Sequence, residues 1–332
     1  MQKINTEVFK NPDLLMQNIV NITNYYRQCL MNDNEDINRG TLTIIKTKDD
    51  NNFFKTANNE YYRMYNYIEN TLSYDTIDND ELSYNVGKAF GKFVKVLNNY
   101  PIEKLYETIP NFHNSVVRLE TFKNDIKKDS CNRVKDVLPE ISFILNRSDT
   151  LSIIVDLLNS GEIPYRVTHN DTKVNNVLMD VNTNEGICVI DLDTVMPGSA
   201  LYDFGDAMRT GAASIIEDDP NLDKVTINMN NFKSFTKGYL SETKDILTEK
   251  EIDNLAVSCI IITLEQAMRF LNDYINGDTY FKCKYDKHNL VRTRNQLKLV
   301  SEMERHLGEM KNIVKEYSGN NTVKKQVKKI SY

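Results

Sequence analysis

The sequence predicts an α+β protein built from two unequal lobes. A short N-terminal part carries mixed helix and strand patterns, and a longer C-terminal part carries helical patterns around one strand hairpin. At 332 residues, with 40% hydrophobic and 27% charged residues, the chain has a globular composition and room for two domains. We place the domain boundary where the mixed patterns end, which gives residues 1–70 and residues 71–332.

The mixed part begins with one helical stripe and continues with three strand-like runs. Apolar residues recur at helical spacing from Pro12 to Arg27, and proline suits the first turn of a helix. Residues 42–47, 52–56 and 60–67 are rich in β-branched and aromatic residues, and polar turns separate them. This order predicts a helix packed beside a small sheet.

Helical periodicity dominates the second part. One stretch, from Val257 to Leu264, is apolar on nearly every side, so we expect its helix to be buried. The predicted helices span residues 81–97, 118–127, 132–138, 150–160, 200–209, 230–242, 248–276 and 295–317.

Three short runs in the middle of this part predict strands. Residues 165–168 form the first run, and residues 176–179 and 187–190 flank a polar turn. Two strands on either side of a short turn pair with each other as a hairpin. We therefore expect Asp191, which follows the last run, to lie beside Asn176 at the start of the second.

The loop before this hairpin has the pattern H-x-D-x-x-x-x-N, with His169, Asp171 and Asn176 as its fixed positions. Phosphotransfer loops use this spacing and a later aspartate: the first Asp accepts the proton of the attacking hydroxyl, and Asn and the later Asp hold magnesium. Such oxygen donors suit Mg²⁺. The alternative is that Asp171 and Asp191 are ordinary loop acids in an asparagine-rich chain. The complete set favours the catalytic interpretation.

The sequence blocks around this loop resemble one enzyme family. The blocks are VTHNDTKVNNVL (167–178), VIDLDTVMPG (189–198), YDFGDAMR (202–209) and AMRFLNDY (267–274). Together they resemble the bacterial N-acetylhexosamine 1-kinases of the aminoglycoside phosphotransferase and choline kinase superfamily. The resemblance implies a protein-kinase-like fold with a small nucleotide lobe and a large helical lobe. It also implies ATP- and Mg²⁺-dependent phosphorylation of the anomeric hydroxyl of N-acetylglucosamine or N-acetylgalactosamine, in sugar salvage.

The resemblance also assigns roles to individual residues. Asp171 is expected to be the catalytic base and Asn176 and Asp191 the magnesium ligands. His169 is expected to orient the loop rather than act as a base, and Asp203 to brace it. Asp193 is either a second metal ligand or a structural acid. The candidates for sugar binding are Asp206, Arg209, Arg269 and Tyr280, and those for nucleotide binding are Tyr67 and Ile68 in an interlobe hinge and Lys3 near the phosphates.

Bland interpretations of several of these residues stay open. Arg269 could form a helix ion pair with Asp273, four residues on, and Tyr280 could belong to the core. The segment 65–68 could be an ordinary edge strand. The pair of Arg209 and Arg269 argues for a neutral, polyhydroxylated acceptor rather than a cationic one.

The sequence differs from the family pattern at its N-terminus. Relatives carry a glycine-containing hairpin over the phosphates ahead of the run equivalent to residues 2–5, whereas this sequence has no glycine before Gly40. We therefore expect a truncated small lobe. The missing hairpin makes a kinase-like binding protein with little activity one alternative. Within the enzyme class, the alternative is a different small-molecule kinase of the choline, aminoglycoside or homoserine type.

Composition and net charge limit the classes of partner molecule that we expect. A net charge of −6 predicts no general affinity for nucleic acid or anionic membranes, and the sequence shows neither a spanning apolar run nor a signal-peptide core. Five scattered cysteines without a C-x-x-C pair predict free thiols in the cytoplasm. The basic run at residues 324–329 is expected to be a solvated helix end. We expect a small-molecule sugar as the partner, and the oligomeric state stays open.

Overall fold

A small antiparallel sheet forms the N-terminal lobe. The computed structural model describes residues 1–319. Strands β1 (Gln2–Lys3), β2 (Phe54–Lys55) and β3 (Tyr61–Arg63) pair in the order β1–β3–β2. Two of the three predicted runs thus contain strands. The run at residues 42–47 does not, because only Ile44 forms a bridge, with Tyr65. Strand β1 was not predicted, since two residues carry too little pattern.

Helix α1 (Pro12–Asn32) connects β1 to the rest of the sheet. Asn11 caps it by accepting a hydrogen bond from the backbone N–H of Leu14, and Pro12 occupies the first turn, as predicted. The helix runs beyond the predicted end at Arg27. One face of it is buried, including Leu15, Ile19 and Ile22.

Two small sheets surround the loop between residues 168 and 177. In the first, β4 (Thr71–Leu72) pairs with β6 (Val177–Asp180), which pairs with β7 (Gly186–Val189). In the second, β5 (Arg166–Thr168) pairs with β8 (Met196–Gly198). The β6–β7 hairpin confirms the predicted strand pairing, with Val177 opposite Val189.

The described part of the large lobe is otherwise mostly helical. The central helix, Glu249–Ile275, is long and apolar enough to cross a membrane, but 78% of its apolar window is buried in the fold, which is typical of a core helix. The helices are α2 (Asp80–Val96), α3 (Ser115–Lys128), α4 (Leu138–Leu145), α5 (Ser148–Asn159), α6 (Ala200–Gly211), α7 (Met229–Thr243), α8 (Glu249–Ile275) and α9 (His288–Ser318).

One predicted helix was wrong. Residues 132–138 contain only a short 3₁₀ turn, Val134–Asp136, and α4 begins where the prediction ended. Pro139 explains the shift, because proline fits the first turn of a helix but breaks its interior. Helix α9 also begins before the predicted residue 295. The basic run at residues 324–329 lies outside the described residues.

Helices α2 and α7 approach each other closely behind the loop. A Cβ atom at Gly238 of α7 would lie 2.0 Å from the carbonyl oxygen of Tyr84, so only glycine permits this contact. The same α2 carries Phe90 and Phe93, whose rings meet the imidazole of His169 edge-on. Close packing of the two helices thereby supports the loop that contains Asp171.

Candidate active site

A buried carboxylate fixes the loop that follows β5. Asp203, in the first turn of α6, accepts hydrogen bonds from the backbone N–H groups of His169 (2.8 Å) and Asn170 (2.7 Å). The hydroxyl of Thr172 donates to the carbonyl oxygen of Asp203 at 2.6 Å. Burial raises the pKa of Asp203 to about 6, although both amides and His169 oppose the increase. Asp203 occupies the bracing position that the sequence predicts.

His169 joins this loop to the end of the hairpin. Its Nε2 lies 2.8 Å from the carbonyl oxygen of Ile190, and its Nδ1 accepts from the backbone N–H of Asp171 at 3.3 Å. These partners assign the proton to Nε2. Both ring nitrogens are engaged and the side chain is buried. This geometry supports the orienting role over the role of a base.

Asp171, Asn176 and Asp191 lie near one another at the end of the hairpin. The amide nitrogen Nδ2 of Asn176 donates to the carbonyl oxygen of Asp171 at 2.7 Å, which leaves Oδ1 for a ligand. The backbone N–H of Ile190 donates to the carbonyl oxygen of Asn176 at 2.9 Å. Asp191 follows directly, in the left-handed conformation (φ 59°). The predicted hairpin thus brings Asp191 back to Asn176.

Neighbouring acids affect the pKa of Asp191. Its pKa is raised, first by desolvation and then by the carboxylates of Asp193 and Asp171. A divalent cation would relieve such repulsion, and an amide oxygen with a carboxylate suits Mg²⁺. Within residues 1–319, no cluster of three or more His, Cys, Asp or Glu side chains has metal-binding geometry. Magnesium sites commonly combine one or two protein oxygens with phosphates and water, so these residues fit the ion.

Lys173 is the cation nearest to the predicted base. Its Nζ lies 2.9 Å from Oδ1 and 3.3 Å from Oδ2 of Asp171. Burial alone would lower the pKa of Lys173, but Asp171 and Asp206 outweigh burial and raise it. The ammonium group therefore stays charged beside Asp171.

Asp206 and Arg209 lie behind the loop rather than in an open pocket. Asp206 accepts from the backbone N–H of Thr172 (2.9 Å) and from Nε of Arg209 (3.0 Å). Arg209 also donates to Glu217 at 2.8 Å, and both members of the α6 pair are about 5% exposed. Burial opposes ionisation of Asp206, but Arg209 and Lys173 lower its pKa overall. Direct sugar contact stays a prediction for these two residues, and this geometry does not support it.

Arg269 and Tyr280 line a second cleft, of about 470 Å³, together with Arg118 and Phe281. The Arg269 guanidinium lies 5.5 Å from the ring centroids of both Phe112 and Phe281. Arg118 lies 6.0 Å from the Phe112 ring, and its pKa is lowered by burial and by Arg269. Two arginines thus share one aromatic cleft.

The structure does not show the alternative arrangements, in which Arg269 pairs with Asp273 and Tyr280 belongs to the core. The carboxylate of Asp273 accepts from the backbone N–H groups of Thr279 (2.9 Å), Tyr280 (2.8 Å) and Phe281 (2.9 Å) instead of pairing with Arg269. Arg269 donates to Gln266 at 2.9 Å. The Tyr280 side chain is not in the core, because the residue is 61% exposed.

A buried histidine connects this cleft to the catalytic loop. Nε2 of His113 lies 3.2 Å from the carbonyl oxygen of Asn170, the residue before Asp171. Its Nδ1 lies 2.9 Å from Glu265 of α8, which is 3.6 Å from Arg118. Burial would raise the pKa of Glu265, but His113 and Arg118 lower it overall. A chain of buried contacts therefore joins this cleft to the loop that contains Asp171.

The predicted nucleotide contacts divide between two faces of the small sheet. Gln2 pairs with Arg63 across the sheet and Lys3 pairs with Tyr62, so Lys3 and Arg63 point to opposite faces. Lys3 forms an exposed ion pair with Glu60 at 2.5 Å, whereas Arg63 reaches Asp193 at 2.5 Å. The structure therefore does not bring Lys3 to the acids of the cleft.

The two hinge candidates differ in exposure. Tyr67 is 83% exposed and Ile68 is 6% exposed. Ile68 accepts a hydrogen bond on its carbonyl oxygen from the Thr71 hydroxyl at 2.8 Å, just before β4. The segment leads from the small sheet into the large lobe, and its contact with adenine stays a prediction.

Comparison with known proteins places this geometry in a family. The sequence model of the phosphotransferase enzyme family (APH) matches residues 46–229, more than half of the chain. The chain belongs to this family.

Solved structures of other phosphotransferases share the fold. A microcompartment-associated aminopropanol kinase matches with a TM-score of 0.52 and 16% identity, over 88% of this chain and 82% of that one. An aminoglycoside phosphotransferase from Alicyclobacillus acidocaldarius matches with a TM-score of 0.57 and 10% identity, over 89% and 84%. A spectinomycin phosphotransferase, solved with ADP and spectinomycin, matches with a TM-score of 0.52 and 15% identity, over 90% and 84%. These likenesses confirm the kinase-like fold of small sheet lobe and large helical lobe.

Several residues of this phosphotransferase site escaped the sequence prediction. Lys173 could have been found from its place two residues after Asp171 in the loop. Arg63, Arg118, His113 and Glu265 had no local signal, because each reaches the site from a distant element.

Proposed function

We propose that this phosphotransferase is an ATP- and Mg²⁺-dependent kinase that phosphorylates the anomeric hydroxyl of an N-acetylhexosamine. The observation that carries the proposal is the position of Asp171. Its carboxylate lies close to Asn176 and Asp191 and, within residues 1–319, pairs with the ammonium group of Lys173. One carboxylate is thereby available for a proton while two other donors suit the metal.

The residues support an in-line transfer of the γ-phosphoryl group. The sugar oxygen forms the new bond to phosphorus, the bond to the β-phosphate oxygen breaks, and the hydroxyl proton passes to Asp171. Mg²⁺, when bound, neutralises the nucleotide phosphates. Lys173 holds the Asp171 carboxylate in place, and Asp203 and His169 keep the loop backbone rigid. Such preorganisation is the main protein contribution to phosphoryl transfer.

We assign nucleotide binding to the lobe of residues 1–70, with Tyr67 and Ile68 as the hinge, and catalysis with acceptor binding to residues 71–332. The five cysteines, all within the described residues, are free thiols. Free thiols fit a reducing compartment, so a cytoplasmic location belongs to the proposal.

The charge of the acceptor cleft favours a neutral acceptor. Arg118 and Arg269 both face this cleft, and the carboxylate of Asp273 is already occupied by three backbone amides. A cationic amine would therefore meet two guanidinium groups, while the acid that lines this cleft, Asp273, is already hydrogen-bonded. Arginine donors beside aromatic rings instead match the hydroxyl, carbonyl and apolar faces of an acetylated sugar.

Similarity to an aminopropanol kinase supports a competing proposal, phosphorylation of an amino alcohol. Its fold is shared, but fold alone does not determine the substrate. The cation-rich cleft makes this second function the weaker one.

An ADP-release assay over a panel of acceptors separates these functions. The panel contains N-acetylglucosamine, N-acetylgalactosamine, glucose, ethanolamine, 1-amino-2-propanol, choline and spectinomycin. We expect turnover with the N-acetylhexosamines, and ³¹P–¹³C coupling to C1 of the product should identify the 1-phosphate. Turnover with an amine and none with the sugars would replace the proposal by the second function.

A third outcome identifies a kinase-like binding protein. Calorimetry with Mg·ATP measures nucleotide binding independently of the acceptor. Mg·ATP binding without turnover on any member of the panel, or no nucleotide binding at all, would contradict a sugar kinase and favour a binding protein.

A further inference from the structure

The small lobe contributes one buried cation to the acidic cleft. Arg63, on the central strand of the sheet, is 6% exposed, and its guanidinium lies 2.5 Å from Oδ1 of Asp193. Its Nε donates to Oε1 of Gln2 at 3.1 Å, and its planar group lies 5.3 Å from the ring of Tyr65. These three contacts orient the guanidinium toward Asp193.

Asp193 lies in a turn that is hydrogen-bonded to the catalytic loop. It belongs to the 3₁₀ turn Leu192–Thr194, which begins directly after Asp191. The hydroxyl of Thr194 donates to the carbonyl oxygen of His169 at 2.7 Å, and Asn170 donates to the carbonyl oxygen of Thr194 at 2.9 Å. The turn is thus tied to the catalytic loop on one side and to Arg63 on the other.

Arg63 also contributes a positive charge next to the acidic residues of the site. The carboxylates of Asp193 and Asp171 both add to the raised pKa of Asp191, and Arg63 of the small lobe contacts Asp193. The ion pair between Oδ1 of Asp193 and the guanidinium turns this carboxylate toward the small lobe.

We propose that Arg63 is a positioning residue: it binds Asp193, keeps this carboxylate out of the metal's coordination shell, and holds the turn so that Asp191 faces Asn176. This inference rests on the proposed metal site. It makes the affinity for the metal–nucleotide complex depend on this ion pair, one of several contacts between the lobes.

The direction of a metal-binding change distinguishes positioning from simple charge repulsion. Removing a cation beside carboxylates should tighten divalent binding if Arg63 acts only through its charge. If Arg63 positions the turn, its removal should weaken binding instead. Residues that orient metal ligands typically change metal affinity by about 10–100-fold.

The test measures Mn²⁺ binding by electron paramagnetic resonance, with the full chain and a non-hydrolysable ATP analogue. We expect Arg63→Met to weaken Mn²⁺ binding by about tenfold or more, and Arg63→Lys to weaken it less, because a lysine restores the charge but not the bond to Gln2. Arg147→Met is the matched control. It removes a two-point pair with Glu304 (2.7 and 2.9 Å) in the helical lobe and should leave Mn²⁺ affinity at the wild-type value.

A second variant approaches the pair from the other end. Asp193→Asn keeps the side-chain shape at a more exposed position and should weaken Mn²⁺ binding to a similar degree, even if Arg63→Met folds poorly. The double variant should be no weaker than the weaker single variant, since both remove the same contact. Greater weakening in the double variant would make Asp193 a direct ligand and overturn the proposal.

The outcomes separate this inference from the proposed function. Unchanged or tighter Mn²⁺ binding in Arg63→Met, beside normal wild-type binding, would overturn the positioning role alone. A wild-type protein that binds no Mn²⁺ with the nucleotide would overturn the metal site of the proposed function, and the positioning role with it.

Discussion

The catalytic half and the acceptor half of the proposed site are held in place by different kinds of contact. In the catalytic half, the backbone itself is fixed: Asp203 binds two consecutive amides, and the hairpin returns Asp191 to Asn176. In the acceptor half, side chains from α3, α8 and the loop before α9 meet across a cleft. The first half is a local chain pattern, and the second is an assembly of distant elements.

This difference explains where specificity can vary. A loop fixed by buried backbone contacts tolerates little change without losing the geometry of phosphoryl transfer. Exposed side chains that line an open cleft, such as Tyr280, can be exchanged more readily than the buried backbone contacts of the loop. Phosphotransferases with one fold and different acceptors are the expected result.

The largest effect should come from the catalytic half. Asp171→Asn keeps the shape of the side chain but removes the proton acceptor, so kcat should fall by about 10²–10⁴-fold with little change in stability. Steady-state ADP release and thermal unfolding measure both quantities. Asp156→Asn, an exposed position on α5, is the control. Wild-type turnover in Asp171→Asn would remove Asp171 from the role of base.

The next effect concerns the brace beneath the loop. The pKa of Asp203 is about 6 in the folded state, above its ordinary value of 3.8, because burial opposes its charge. The folded state therefore binds this proton more tightly than the unfolded state. Its contribution to stability is complete below pH 4 and is lost as the pH rises through 6, by about 3 kcal/mol at most.

Urea unfolding of the wild type and of Asp203→Asn between pH 4 and 7 isolates this contribution. Relative to the variant, the wild type should lose free energy of unfolding as the pH rises, and the difference should level off above about pH 7. A pH-independent difference would mean that Asp203 titrates normally and does not carry a strained charge under the loop.

The contrast between the halves also marks how far the sequence could predict the site. His169, Asp171 and Asn176 lie within one loop, and one hairpin adds Asp191. Motif spacing and the strand pattern were therefore enough to predict that these residues lie near one another. Lys3 and Arg209 failed to reach open parts of the site because the direction of a side chain depends on strand register and helix packing. The helix predicted at residues 132–138 was wrong because Pro139 starts α4 instead of allowing an earlier helix to continue.

Long-range contacts set the remaining limit. His113 and Glu265 are 152 residues apart, and neither has neighbours in sequence that suggest a shared contact. Arg118 reaches the acceptor cleft from α3, a helix whose amphipathic pattern says only that it packs. Such residues become visible once helices α3 and α8 are placed side by side.

The acceptor half should respond to substitution through binding. Arg269→Met removes a donor from the cleft but keeps most of the side-chain volume, so KM for the sugar should rise by about tenfold or more while KM for ATP stays constant. Arg305→Met, on the exposed side of α9, is the control. An equal rise in both KM values would show that Arg269 supports the fold of the large lobe instead of contacting the acceptor.

The smallest effect should have the opposite pH dependence from the brace. Asp218 pairs with Arg292 at 2.6 Å and with Lys284 at 2.8 Å, and thereby anchors the loop that carries Tyr280. Burial opposes its charge, but these cations lower the pKa of Asp218 to about 2. Its contribution to stability is therefore present above pH 4 and is lost as the pH falls toward 2. Because the group is partly exposed, solvent screening should keep this contribution below about 1 kcal/mol.

Urea unfolding of the wild type, of Asp218→Asn and of the control Asp286→Asn between pH 3 and 6 tests this contribution. The free energy of unfolding of the wild type should exceed that of Asp218→Asn, and the wild-type advantage should shrink on acidification. An advantage that grows toward pH 3 would contradict the ion-paired anchor and erase the distinction between the two halves.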